Sequence, residues 1–205
     1  MLTMDEFNPK SVSYDQHEIL DWILELHCLE GFEVDATFGN GSFYKDKKKP
    51  VHRFDMDWTL KDCKFASSTD LPLKNESVKS VVFDPPFLTY VRKNRNGNGN
   101  MIMAKRFAGY WRYDELESHY IGSLKEFSRI LKKKGIVVFK CQDIIHNHKM
   151  HCTHLNVVNW ANQFGFRLKD LFILPAKNRM PRPNRKGRAK HARIHHSYFL
   201  VLEKL

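Results

Sequence analysis

The chain has 205 residues, a length that suits one domain with insertions. Its composition, 42% hydrophobic and 28% charged, is that of a globular protein with a full core, and no run of eighteen apolar residues exists to span a membrane. The formal net charge is +11, which points to an anionic partner.

The N-terminus, "MLTMDEFNPKS", lacks the basic start and apolar middle of a signal peptide, so a cytoplasmic location is expected. "SVSYDQHEILDWILELHCLEG" then predicts a helix. Ser13 at the N-cap and Gln16 three residues on form a capping box; Ile19, Trp22, Ile23 and Leu26 recur at helical spacing, and Gly31 is the stop. "FEVDATFGNGSF" reads as a short strand ending in a glycine-rich turn. "SFYKDKKK" has room for barely two helical turns before Pro50. "VHRFDMDW" is a short strand with acids at its end, "CKFASSTDLPL" offers another, and "VKSVVF" is a buried one.

Residues 88–113 interrupt this alternation with the glycine-rich polar loop "RKNRNGNGN". "DELESHYIGSLKEFSRILKKKG" follows as an amphipathic helix. Its apolar face is Leu116, Tyr120, Leu124, Phe127 and Leu131, and it has a basic last turn before Gly135. "IVVFKCQD" is a buried strand, "HLNVVNWANQFG" a helix, and "FRLKDLFIL" and "HSYFLVLEK" the last two strands. Strands alternating with helices predict an α/β fold: a mostly parallel sheet with helices on both faces. The last two strands have no helix between them, which predicts an antiparallel pair at one edge.

The positive charge is concentrated. Six Lys/Arg and no acid lie between Arg92 and Arg112; eight and no acid lie between Lys177 and Arg193. The other 20 basic residues face 23 acids, so the body is slightly acidic. Localised positive charge is the footprint of a polyanion, with two solvated loops as the plainer alternative. Arg92, Lys93 and Arg95 in the 88–113 insert, and Arg185, Lys186 and Arg188 in the 175–194 segment, are the expected phosphate contacts. The four cysteines, Cys28, Cys63, Cys141 and Cys152, form no Cys-x-x-Cys pair and read as reduced thiols.

In open α/β sheets ligands bind beyond the carboxyl ends of the strands. Four polar signals fall at such ends here. Asp35–Ser42, "DATFGNGS", holds Gly39 and Gly41, where backbone can approach a ligand; alone it reads equally as a tight turn. Asp55 or Asp57 can accept hydrogen bonds from both hydroxyls of a ribose. Asp70 can accept one from an adenine amino group. Their order suggests an adenosine-containing cofactor. The fourth signal is "DPPF", Asp84–Phe87.

With that motif the chain resembles the class I S-adenosylmethionine-dependent methyltransferases. More narrowly it resembles the DNA amino-methyltransferases, whose hallmark is Asp/Asn/Ser-Pro-Pro followed by Tyr, Phe or Trp. The resemblance covers nearly the whole chain and extends to "IVVFKCQD" and "HSYFLVLEK", which are similar to those of small bacterial and phage enzymes. It implies one Rossmann-like methyltransferase domain over residues 1–205, with a mostly parallel seven-stranded sheet and an antiparallel C-terminal hairpin. It further implies S-adenosylmethionine as cofactor and DNA as partner. Cofactor contacts are then expected from Tyr14, Asp35, Phe38, Gly39, Gly41, Asp55 and Asp70, and catalysis from Asp84, Pro85, Pro86 and Phe87.

The chemistry suits the motif. An exocyclic amino nitrogen has its lone pair delocalised into the ring and attacks poorly. Asp84 can accept one N–H and the Pro85 carbonyl the other, which pulls the nitrogen toward tetrahedral geometry. The prolines fix φ and aim these acceptors, and Phe87 can stack on the base. Adenine N6 is the first expectation and cytosine N4 the second. An RNA guanine-N2 methyltransferase and a non-catalytic nucleic-acid-binding module are the rivals. Methylation of cytosine carbon 5 needs a thiolate that follows a proline in the family that performs it, and no cysteine here does. The short interval from Gly41 to Asp55 departs from the family pattern, and no large target-recognition domain is visible. "HNHKMHCTH" is rich in histidine, but its spacing fits no four-ligand zinc motif, so no metal is expected and it reads as a polar loop before a helix.

Overall fold

The computed structural model describes residues 8–89, 109–177 and 190–205. Seven strands form one sheet: β1 (Val34–Asp35), β2 (His52–Asp55), β3 (Lys64–Phe65), β4 (Val78–Phe83), β5 (Leu131–Cys141), β8 (Phe166–Pro175) and β9 (His196–Lys204). Their order is β3-β2-β1-β4-β5-β9-β8. The first five are parallel; β9 runs antiparallel to both β5 and β8. This is the expected sheet, with the antiparallel pair at the edge. From β1 the chain moves outward to β2 and β3, then returns to β4 on the other side of β1. That reversal opens a crevice at the carboxyl ends of β1 and β4, where Asp35 lies beside Val82 in the register.

Alternation along the strands divides the core between two faces. On one, Val82, Ile136, Val138, Phe199 and Val201 meet Ile19, Leu20 and Ile23 of α1 (Gln16–His27). On the other, Phe83, Val137, Phe139, Leu200 and Leu202 meet Tyr120, Leu124 and Phe127 of α2 (Tyr113–Ile130). Val157, Trp160 and Ala161 of α3 (Thr153–Gln163) complete that face. Each fully buried Val, Leu, Ile or Phe side chain contributes about 1.5–3 kcal/mol. Among the described residues no helix is long and apolar enough to cross a membrane.

Three local expectations change. Helix α1 is capped by Asp15, not Ser13: Asp15 Oδ1 accepts from His17 N at 2.8 Å. Ser13 is held elsewhere, because its N–H bonds Ile173 O at 3.1 Å and Val12 bridges the edge strand β8. Helix α2 stops at Ile130, four residues before the expected end. Leu131 pairs with Val78 instead, and Lys134 takes a left-handed φ of 63°. The histidine-rich stretch is a two-stranded ribbon rather than a loop, β6 (Ile144–His146) with β7 (Lys149–His151). Asn147 and His148 turn it with φ of 50° and 60°, the paired left-handed conformations of a tight hairpin.

Candidate active site

The glycine loop leaves β1 as a set of fixed backbone turns. Gly39 and Gly41 have φ of 56° and 75°. At Gly41 a side chain is excluded twice over, since a Cβ there would lie 2.7 Å from Phe38 Cζ. Phe38 itself is 2% exposed and stacks on Tyr44 with ring centroids 6.1 Å apart. Its ring is the floor of the loop rather than a wall of the crevice.

Asp35 begins the loop and is buried. Its Oδ1 accepts from Thr37 N at 2.8 Å and its Oδ2 from Tyr44 Oη at 2.6 Å. Burial pushes its carboxyl up to about 7; those two hydrogen bonds oppose the rise, and the charges of Asp84 and Asp55 add to it. The Tyr44 hydroxyl is driven far above its ordinary range, first by burial and then by Asp35, so it stays a donor.

Asp55 ends β2 and ties that strand to the glycine loop. Oδ2 accepts from Gly39 N at 2.8 Å and Oδ1 from Asp57 N at 2.8 Å. Asp57 is turned outward into its own corner, where Oδ1 accepts from Thr59 N at 2.9 Å and Thr59 Oγ1 at 2.6 Å. That side-chain bond, then the backbone one, hold its carboxyl below the usual value.

Asp84 follows β4, and four contacts hold the loop it begins. Its N–H donates to Thr37 Oγ1 at 2.9 Å, which joins the glycine loop to the Asp-Pro-Pro loop. Its Oδ2 accepts from Lys140 Nζ at 3.2 Å. Buried Tyr120 donates its hydroxyl to the Pro86 carbonyl at 3.0 Å, and Tyr110 N donates to Leu88 O at 2.9 Å. Behind them runs a relay: Tyr110 Oη lies 2.5 Å from His119 Nδ1, and Ser68 Oγ lies 2.7 Å from His119 Nε2. Burial lowers the His119 pKa. Pro85 is buried, and Phe87 half-buried, at the mouth of this loop.

Asp35, Gly39, Gly41, Asp55 and Asp84 therefore gather at one crevice. Two other expected residues make no hydrogen bond to this group among the described residues. Asp70 is exposed, closes a turn on Ser67, and lies near enough to Arg129 to help raise that guanidinium's pKa, behind the Glu126 ion pair. Tyr14 is 61% exposed, ahead of the α1 cap. Arg92, Lys93, Arg95, Arg185, Lys186 and Arg188 lie outside the described residues.

Thr37, Tyr44, Lys140 and Tyr120 are site residues that the sequence pattern does not single out. Tyr120 is legible only as one apolar position of a helix. Lys140 leaves a trace, a charge within an otherwise apolar strand end. The ribbon is a further addition, following the carboxyl end of β5. Asn147, His148, Lys149 and Met150 at its tip are exposed, and His191 Nε2, in the basic segment, lies 2.9 Å from the His148 carbonyl. At its base Asp143 Oδ1 holds His154 Nδ1 at 2.7 Å and Oδ2 accepts from Tyr198 Oη at 3.2 Å.

No known protein family and no curated protein matches the sequence. Solved structures do match in fold. The cyclase SpnF aligns with a TM-score of 0.58 at 13% identity, over 92% of this chain and 81% of its own. A protein of Galdieria sulphuraria assigned as a sarcosine dimethylglycine methyltransferase aligns with a TM-score of 0.55 at 12% identity, over 92% and 84%. A Thermus thermophilus protein assigned as a DNA modification methylase aligns with a TM-score of 0.46 at 18% identity. It matches over 75% of this chain, which spans about half (54%) of that protein's length. The shared architecture is the Rossmann-like class I methyltransferase fold. One of the first two proteins is named for methyl transfer and the other for cyclisation, so the fold by itself does not set the reaction.

Proposed function

We propose that the chain is a single methyltransferase domain that moves the methyl group of S-adenosylmethionine to an exocyclic amino group of a base in DNA, adenine N6 before cytosine N4. The observation that carries this reading is the Asp84–Phe87 loop. It stands at the carboxyl end of β4 and is hydrogen-bonded through Thr37 to the glycine loop of β1. Cofactor crevice and acceptor site are thereby joined by a single bond.

The residues fit the cofactor. The charges of Asp84 and Asp55 oppose ionisation of Asp35, so the crevice favours a cation, and a sulfonium with an ammonium supplies two. Asp55, tied to the glycine loop through Gly39 N at the end of β2, suits the ribose better than Asp57, which is turned into its own corner at Thr59. When bound, S-adenosylmethionine supplies an electrophilic methyl carbon. Asp84 Oδ1 and the Pro85 carbonyl accept the two amino N–H groups and localise the nitrogen lone pair. The methyl group would pass to that nitrogen as the sulfonium becomes a neutral thioether, and the amino proton held by Asp84 Oδ1 would pass through that carboxylate to solvent. Tyr120 keeps the loop in place by holding Pro86, and Phe87 stacks on the extruded base.

DNA as the polyanion is supported by the fourteen clustered cations and by the ribbon tip, which meets the basic segment at His191. The test is to incubate unmethylated DNA and RNA separately with enzyme and labelled cofactor, digest to nucleosides and identify the product by mass. N6-methyladenine or N4-methylcytosine from DNA is expected. Finding 5-methylcytosine, or label in RNA alone, refutes the reading.

A further inference from the structure

Lys140 occupies a position that the sheet reserves for an apolar residue. It is the penultimate residue of β5, and the alternation Ile136, Val138, Lys140 places it on the α1 face, among the core side chains of that layer. Its side chain is 12% exposed. The ammonium lies 5.3 Å from the Phe43 ring centroid and 5.4 Å from that of Phe199. A buried ammonium is costly unless it is paired, and a methionine would fill the same channel without that cost. The charge is instead committed to two acceptors: Gln16 Oε1 at 2.8 Å and Asp84 Oδ2 at 3.2 Å. Gln16 is fixed in turn, because its Nε2 donates to the Phe43 carbonyl at 3.2 Å. The start of α1 and the segment after the glycine loop thus converge on the Lys140 ammonium, which alone among the described residues holds the carboxylate oxygen.

We infer that Lys140 is a positioning residue for Asp84, gripping Oδ2 so that Oδ1 is the oxygen offered to the amino group of the methyl acceptor. The inference rests on the amino-methyl-transfer reading given above. A carboxylate free to rotate presents either oxygen; one held on a rigid strand presents a single acceptor in a fixed direction, which is what in-line transfer requires. Gln16 serves the same end from one residue further away.

The experiment compares wild type, K140M, D84N and the double variant. Asparagine is itself among the residues of the motif hallmark, so D84N is expected to retain turnover; if it does not, the urea midpoints of the four proteins decide the pairing. K140M is expected to lower kcat about 100-fold, while KM for DNA and the calorimetric Kd for S-adenosylmethionine stay within about threefold. In the D84N background the same change should cost less than about threefold, because the charged partner is gone. Near-wild-type kcat in K140M, or an equal loss in both backgrounds, overturns the inference. If wild type leaves DNA unlabelled, the DNA reading falls separately. Urea midpoints of the same four proteins then decide the pairing: coupled shifts support it and additive shifts overturn it.

Discussion

Asp35→Asn changes one atom at the most buried acid of the crevice, and its effect should depend on pH. The carboxyl rises from an ordinary 3.8 to about 7 on folding, burial being the main cause. At about 1.4 kcal/mol per pH unit, this makes the ionised folded state about 4 kcal/mol less stable than an unperturbed carboxylate would allow. The sign follows from proton counting. Between pH 3.8 and about 7 the folded chain keeps a proton that the unfolded chain has lost, so this contribution to stability falls as pH rises and levels off above about 7. Asparagine fits the same contacts: its Oδ1 accepts from Thr37 N, and its Nδ2 donates to Tyr44 Oη, which turns to accept. Urea unfolding should show Asp35→Asn more stable than wild type at pH 8, by up to about 4 kcal/mol, with the difference shrinking toward pH 5. Calorimetry should show wild-type affinity for S-adenosylmethionine rising from pH 6 to 8 as Asp35 ionises, and a flatter profile in the variant. A stability difference that does not vary with pH refutes the placement of a raised carboxyl at Asp35.

Gly41→Ala meets both a φ of 75° and a Cβ only 2.7 Å from Phe38; it should lose about 2 kcal/mol or more in urea unfolding. Tyr120→Phe leaves the Pro86 carbonyl without its 3.0 Å donor, with an expected loss of about 1–3 kcal/mol and a lower kcat in the methyl-transfer assay. Replacing Arg185, Lys186 and Arg188 together with serine should flatten the slope of log K against log salt on duplex DNA by roughly 2 to 3. An unchanged slope in filter binding would mean that these side chains contact no phosphate.

What the sequence reveals depends on how local each determinant is. Strands β4 and β5 are legible as continuous apolar runs because both their faces are covered, and the strand ends carry their acids visibly. The helix ends are not legible, because distant residues set them. Ser13 makes a good N-cap in isolation, but Ile173, on an edge strand 160 residues away, claims its N–H and hands the cap to Asp15. Leu131 belongs by spacing to the apolar face of α2, yet Val78 takes it into the sheet. The ribbon turn uses Asn147-His148, a weaker signal than Asn-Gly for two left-handed residues, so histidine density obscures a hairpin. Within the site, the acids are read from their places at strand ends. Their partners are invisible: that Gly39 bonds Asp55, or that Asp70 lies by Arg129, requires the fold.

The pairing of the site acids reveals a division of charge within the chain. Asp35 receives a tyrosine hydroxyl and a backbone N–H, and Asp55 receives two backbone N–H groups. These donors are neutral, so they orient the carboxylates without cancelling their charge. Arginine or lysine in those places would make stronger bonds, but would leave no field to attract a cationic ligand and would repel it at contact. Lys140 is the exception, and it sits on Asp84, the acid that the proposed reading assigns to the acceptor base rather than to the cofactor. The remaining surplus of positive charge lies in two segments that contain no acid. On the proposed reading a cation and a polyanion bind side by side, and their opposite fields must be kept from collapsing onto each other. The chain separates them by giving the crevice acids Asp35 and Asp55 uncharged partners, while the buried acids away from the crevice, Glu126 and Glu203, take the cations Arg129, Arg167 and Lys169, and the surplus of positive charge lies in the two acid-free segments.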